Sequence, residues 1–324
     1  MRKIILTAFA SLLAFSSPAL AAETFPSHPI TIIVPFSAGG PTDSMARIMA
    51  DGMRTTLGQN LVIENVTGAG GSIGVARLVR SAPDGYTLGL GHLGTHVANG
   101  VIYKLGYDLV ADMEPVVLLP TNPMLVVSKN AVPAKSLTEL LAWMRAKPSP
   151  PTAGTAGPGS ASHVAGLYFE EVTKIKLQYV PYRGTAPAMN DLVAGQIEVM
   201  VDQTSNSINQ VRAGTIRAYA VTAEKRLESA PDIPTTDEAG LPGFHMQLWS
   251  GFWLPKGTPR DIVMKINAAA VVAMNDPAVR KKFFDLGLEM PAANRLTPEA
   301  LGAFQKAEIE KWWPMLKAAN VKAE

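Results

Sequence analysis

Five short loops, each placed after an apolar run and before an amphipathic one, hold the residues of this chain that are best suited to chemistry. The first is Phe36-Ser37-Ala38-Gly39-Gly40-Pro41-Thr42-Asp43. Its paired glycines let main-chain N–H groups approach a bound group closely, and the helix expected to follow offers its positive end, so the loop is built to cradle an anion. Thr42 and Asp43 are equally able to cap that helix, and both readings can hold together. The second loop sets His92 and His96 four apart in Gly91-His92-Leu93-Gly94-Thr95-His96. Zinc needs a third ligand, and Gly94 interrupts any helix between the two rings, so no metal is expected. His92 and Thr95 read instead as hydrogen-bonding neighbours of an anion, with helix capping as the alternative for Thr95. The third loop, Gly157-Pro158-Gly159-Ser160-Ala161-Ser162-His163, opens a helix. In the fourth, Arg183-Gly184-Thr185, the cation has the geometry to grip a carboxylate with two donors or to serve as a structural surface arginine. In the fifth, Asp202 with Gln203 can accept from a ligand hydroxyl or amine, or Asp202 can cap the next helix.

An enzyme would use such residues differently, for instance Ser160, His163 and Asp202 as a hydrolytic triad. Ser160 lies in Gly-Pro-Gly-Ser-Ala rather than a G-x-S-x-G elbow, and it shares one helical turn with His163, where nucleophile and base seldom align. No catalytic residue is therefore assigned. A further glycine run, Gly68-Ala69-Gly70-Gly71-Ser72-Ile73-Gly74, departs from the dinucleotide spacing G-x-G-x-x-G and reads as structural, so no cofactor is expected.

The elements that must position these loops follow from periodicity. Short β-branched runs predict strands over Ile30–Pro35, Leu61–Asn65, Tyr86–Leu90, Pro115–Leu119, Met124–Ser128, Leu177–Pro181, Ile197–Asp202 and Ile216–Thr222. Between them, Met45, Ile48, Met49, Met53 and Leu57 mark one face of a helix from Thr42 that stops at Gly58. Ser136 and Glu139 form an S-x-x-E capping box, and Thr297-Pro298 starts a final helix running through Trp312. Alternating strands and helices give an α/β fold whose ligands bind beyond the strand ends. Proline-rich passages at Pro120–Pro123 and Pro231–Pro242 suggest two crossings between lobes, with 22–121 plus 243–324 forming one lobe and 122–242 the other.

Arg2 and Lys3, an apolar run from Ile4 to Phe15 and the small residues around Ala19-Leu20-Ala21 predict a cleaved secretory leader over 1–21. The chain carries 29 Lys plus Arg against 27 Asp plus Glu, and losing Arg2 and Lys3 with the leader makes the mature protein formally neutral. With no basic run to neutralise phosphates, a nucleic-acid partner is not expected. Cysteine is absent, so stability rests on a packed core and no cysteine-linked lipid holds the protein to a membrane. A freely diffusing exported receptor stays near its membrane only where a second membrane confines it, which points to a periplasm.

The motifs also resemble a family. Pro29–Phe36 with Gly39-Gly40-Pro41-Thr42-Asp43, Glu64-Asn65 before Gly68–Gly71, Ala82-Pro83-Asp84-Gly85-Tyr86-Thr87, Val180–Gly184, Pro231–Thr235 with Glu238–Gly240, and Pro255–Pro259 occur in the order found in the solute-binding proteins of tripartite tricarboxylate transporters, the Bug-type receptors. The resemblance spans the mature chain. It implies a type II periplasmic binding protein, two doubly wound α/β lobes joined by a two-segment hinge, closing on a di- or tricarboxylate, aromatic acid or amino acid and delivering it to transporter subunits in the membrane; a periplasmic sensor that delivers its ligand to a membrane kinase uses the same fold and pocket and stands as the alternative. It further implies a monomer without catalysis or cofactor, a carboxylate held by Ser37 to Gly40 and the Gly159-Ser160 loop, a basic family position at Arg183, an acidic one at Asp202, and ligand choice near His92 and His96. Trp249 and Phe36 could flank an aromatic acid or pack as core.

Overall fold

In the computed structural model, residues 25–320 are described, so the leader over 1–21 lies outside the described residues. The first strand, β1 (Ile30–Val34), pairs in parallel with β2 (Leu61–Asn65) and β3 (Thr87–His92). Helix α1 (Pro41–Leu57) follows β1, with Pro41 at its first turn and Gly58 closing it in the left-handed conformation at φ 69°. Its buried face, Met45, Ile48, Met49, Met53 and Leu57, packs with β1 and with α8 (Arg260–Asn275) into one hydrophobic cluster.

The passage expected as two strands around Pro120–Pro123 is one long strand, β4 (Met113–Lys129), in which the register shifts between Leu119 and Asn122. Pro120 falls within that shift, where the ladder skips a residue that has no N–H donor, while Pro123 stays paired opposite Gln247. The first half of β4 pairs antiparallel with β9 (Gln247–Pro255), which in turn pairs with β3. The second half carries the other lobe: β7 (Val199–Gln203) on one side, β8 (Ile216–Val221) on the other, then β5 (Thr152–Thr155) and β6 (Gln178–Pro181) beyond β7. The sheet order is β2-β1-β3-β9-β4-β7-β5-β6 with β8 on β4, so two α/β lobes share one strand. Around the second lobe lie α4 (Leu137–Ala146), α5 (Ala161–Thr173), α6 (Thr185–Val193) and α7 (Thr204–Arg212).

The capping box at α4 is half formed. Ser136 Oγ accepts from Glu139 N–H at 3.2 Å, whereas the Glu139 carboxylate accepts from Lys135 N–H, one residue earlier than the motif predicts. Helix α10 (Pro298–Ala318) lays Trp312 and Leu316 into the core, and its Glu308 carboxylate accepts from both Trp249 Nε1 and Trp312 Nε1 at 2.9 Å. Trp249 is therefore core rather than a ligand wall. Among the described residues no single helix is long and apolar enough to cross a membrane.

Candidate functional site

Between the lobes lies a narrow, tightly closed cavity. Phe36, Ser37, Gly40, Pro41, Thr42 and His92 line it from the first lobe; Ala156, Ser160, Ala161, Ser162, Gly184, Thr185 and Gln203 line it from the second. Among the described residues, no Lys, Arg, Asp or Glu is in its wall. Its polarity comes from the main chain. Gly40 is the N-cap of α1, Ser160 of α5, Gly184 of α6 and Gln203 of α7, so four helices start at the cavity. First-turn N–H groups have no partner within their helix, and each helix start carries about half a positive charge, so the cavity presents a converging set of donors suited to a small anion.

Two side chains add donors. Ser37 Oγ is buried without a partner. His92 Nδ1 accepts from Gly94 N–H at 3.0 Å, and burial depresses the ring to about 4, so it is neutral with its proton on Nε2. Phe36 stacks on it with ring centres 5.0 Å apart.

The lobes are closed on each other. Ser37 N–H donates to Arg183 O across the cleft at 3.3 Å, and Tyr103 OH donates to Pro158 O at 2.8 Å. Glycine allows this approach: a Cβ on Gly184 would stand 2.1 Å from Ser37 Oγ, and one on Gly70 would stand 2.2 Å from Pro158 O.

Of the residues singled out in the sequence, Phe36, Ser37, Gly40, Thr42, His92, Ser160 and Gln203 reach this cavity. The others support it from outside the wall. Asp43 holds the first loop in shape: its carboxylate accepts from Gly39 N–H, from Asn65 and from Arg47. Burial alone would raise that carboxyl, but these bonds, led by Arg47, outweigh it and hold it below its ordinary value. Ala38 and Gly39 form the bend of the loop, with Gly39 at φ 76°. Thr95 Oγ1 accepts from His92 N–H at 3.0 Å and contacts His96 Nδ1, which locks the turn after β3. Gly159 N–H donates to His163 Nδ1 at 3.2 Å, and His163 stands edge-on to Tyr179. Arg183 is exposed in a separate outer groove. Asp202 is fully buried behind the α6 and α7 starts: its Oδ2 accepts from Ser207 Oγ and Asn206 Nδ2, and Asn206 also donates to Thr185 O. Burial raises its carboxyl to about 6 despite those bonds.

Pro41, Ala161, Ser162, Gly184 and Thr185 belong to loops that the sequence marks for chemistry, but nothing in their residue types singles them out there, and Ala156 lies outside those loops. None carries charge, and their contribution is mostly main chain. The available signal was positional, since each stands where a strand hands over to a helix.

An α/β protein of two lobes sharing a strand, with an anion-suited cavity at their junction, is a solute-binding protein of the periplasmic type. The chain belongs to the tripartite tricarboxylate transporter family of receptors, whose sequence profile matches residues 45–321. It is 40% identical over 302 residues to a protein encoded in the TAR-I ttuE-ttuC' intergenic region of Agrobacterium vitis, covering 93% of this chain and 87% of that one. The structure of the periplasmic binding protein BugD superposes with a TM-score of 0.88 at 40% identity, covering 92% of this chain and all of that one. MatC from Rhodopseudomonas palustris with bound malate superposes at 0.86 with 39% identity, covering 90% of this chain and all of that one.

Proposed function

We propose that this protein is exported to the periplasm as a monomeric receptor that closes on a small carboxylate and hands it to the membrane subunits of a tripartite tricarboxylate-type transporter. The observation that carries the reading is the convergence of four helix starts on a narrow cavity between the lobes, into whose wall no charged side chain of the described residues enters. Such a cavity compensates an anion with fixed dipoles and excludes competing cations. The proposed contacts are the main-chain N–H groups of Thr42, Ala161, Ser162, Gly184 and Thr185, together with Ser37 Oγ, His92 Nε2–H and Gln203; Pro41 has no N–H, and those of Gly40 and Ser160 are taken by Ser37 O and Gly157 O. Phe36 closes one side as an apolar wall. The malate held by MatC supports a short dicarboxylate as the first candidate ligand. The lobes are taken as 22–121 plus 243–324 and 122–242, with β4 and the return before β9 as the hinge.

Catalysis by Ser160 and His163 does not fit this geometry. His163 Nδ1 already accepts from Gly159 N–H, Ser160 Oγ accepts the His163 main-chain N–H as a helix cap, and burial depresses the ring to about 4. The imidazole is thus engaged elsewhere than at the serine hydroxyl.

The test is a thermal-shift and calorimetric screen of the mature protein, refolded to strip bound ligand, against mono-, di- and tricarboxylates, aromatic acids and amino acids. A ligand at about 1,000 times its Kd stabilises by about 4 kcal/mol. A response confined to one class of acid supports the receptor reading; silence across the panel refutes it.

A further inference from the structure

Outside the closed cavity, and sharing Phe36 and Ala156 with it as a common wall, runs a second groove of about 600 Å³ open to solvent. The first lobe contributes Gly68 to Gly71 and Tyr103; the second contributes Gly157, Pro158, Pro181, Tyr182, Arg183 and Pro187. The walls are prolines, aromatic rings and glycines, a surface for an apolar chain. Its single charged residue is Arg183, and no carboxylate lines it. Arg183 is exposed, and among the described residues its guanidinium has no ion-pair partner, although other exposed arginines such as Arg47, Arg77, Arg226 and Arg260 are paired with carboxylates. Its main-chain oxygen is meanwhile fixed against Ser37 N–H, which puts this residue at the rim where the two spaces meet. Tyr182 is held by its hydroxyl, which donates to Asp191 at 2.6 Å, so that part of the rim is rigid.

We propose that this outer groove is a second subsite, in which Arg183 pairs with the distal carboxylate of an elongated dicarboxylic acid whose near carboxylate occupies the inner cavity. The inference rests on the receptor reading above and extends it to ligand length. Short acids are enclosed within the inner cavity. Longer ones displace the Phe36 ring, run their methylene chain over Pro158, Pro181 and Pro187, and end at the guanidinium. The charge complement is one-sided, because a neutral distal end can take a hydrogen bond from the guanidinium but no ion pair, and the groove therefore favours a second anionic group rather than length alone.

The test is a double-mutant cycle on the distal charge. Binding of succinate, suberate and suberic acid monoamide to the mature protein is measured by calorimetry for the native protein, Arg183→Gln and Arg183→Lys. The native protein should prefer suberate over its monoamide by roughly fivefold at low salt, the upper range for an exposed ion pair. Arg183→Gln should bring that ratio close to one, Arg183→Lys should keep part of it, and about 0.5 M salt should shrink it in the native protein. A ratio unchanged by Arg183→Gln overturns the assignment, as does succinate binding without any suberate binding. If no acid of either length binds the native protein, the receptor reading itself falls, an outcome distinct from the other two.

Discussion

Gly184→Ala is expected to weaken ligand binding while leaving the open fold intact. Gly184 has φ 168° and ψ 167°, an extended conformation that alanine adopts freely, so the substitution carries no backbone penalty of its own. The cost arises only across the cleft, where the new Cβ would lie 2.1 Å from Ser37 Oγ and 3.2 Å from both Ser37 N and Ser37 Cβ. Rotating the Ser37 hydroxyl relieves the first contact but moves a donor out of place and leaves the other two tighter than ordinary van der Waals distance. Ser37 itself cannot retreat without breaking its N–H bond to Arg183 O. An overpacked contact of this kind costs about 1–3 kcal/mol. Because only the closed form encloses ligand, that cost appears as a reduced closed fraction, and the apparent Kd rises by about 5- to 150-fold. Calorimetry gives the affinity, scattering the closed fraction with saturating ligand, and circular dichroism the fold. Adding Ser37→Ala should restore part of the closure by removing the 2.1 Å contact. A Gly184→Ala protein with native affinity and native compaction would refute the claim that Gly184 and Ser37 meet in the ligand-bound form.

The parts of this fold that sequence reading recovers are those whose residues must bury two faces or one clear stripe. The Ile30–Val34 strand is a β-branched run buried along nearly its whole length between prolines; the Leu61–Asn65 edge strand is only part-buried, and it is legible because Gly58 and Gly68 bound its apolar run; both fall within a residue of expectation. β5 escapes because Thr-Ala-Gly-Thr has no bulky side chain; its Gly154 is there because a Cβ would meet Ile197 at 2.4 Å. β9 escapes because Ser250-Gly251 splits its apolar run, although that glycine is required by Trp253 and Leu301 packing beside it. Continuity of β4 through Pro120 and Pro123 depends on a register shift that only pairing with β9 reveals. The loop motifs were legible as anion-binding candidates, but their charged members, Asp43, Arg183 and Asp202, drew attention away from the neutral ones that form the wall. A site built from N–H groups leaves its trace in where helices begin rather than in residue type, and four such beginnings, far apart in the chain, meet at the cavity between the lobes.

Two further predictions concern stability. Glu308→Ala should destabilise by about 2–4 kcal/mol, because it strands the buried Trp249 and Trp312 N–H groups together, while Glu308→Gln, which keeps an acceptor oxygen, should cost much less; urea midpoints compare the two, and equal losses would deny the shared acceptor its role. The acid response follows from four buried groups. Burial depresses His92 and His163 to about 4 and His96 to about 3, from 6.5, so the unfolded chain takes up these protons first: their contribution is present above pH 6.5 and is lost as pH falls through the native values. Asp202 acts in the opposite sense, since raising it from 3.8 to about 6 makes its contribution greatest below its unfolded value and removes it as pH climbs through 6. Around pH 5 the balance is up to three protons against one, a slope of up to about 2.7 kcal/mol per pH unit. Asp202→Asn keeps an acceptor for Ser207 and Asn206 but deletes the opposing proton, so the variant should lose stability more steeply than the native protein between pH 6 and 5. Urea unfolding of both proteins at pH 7, 6 and 5 decides this, and a variant slope equal to or shallower than the native one would mean that the Asp202 carboxyl does not take up its proton in that window.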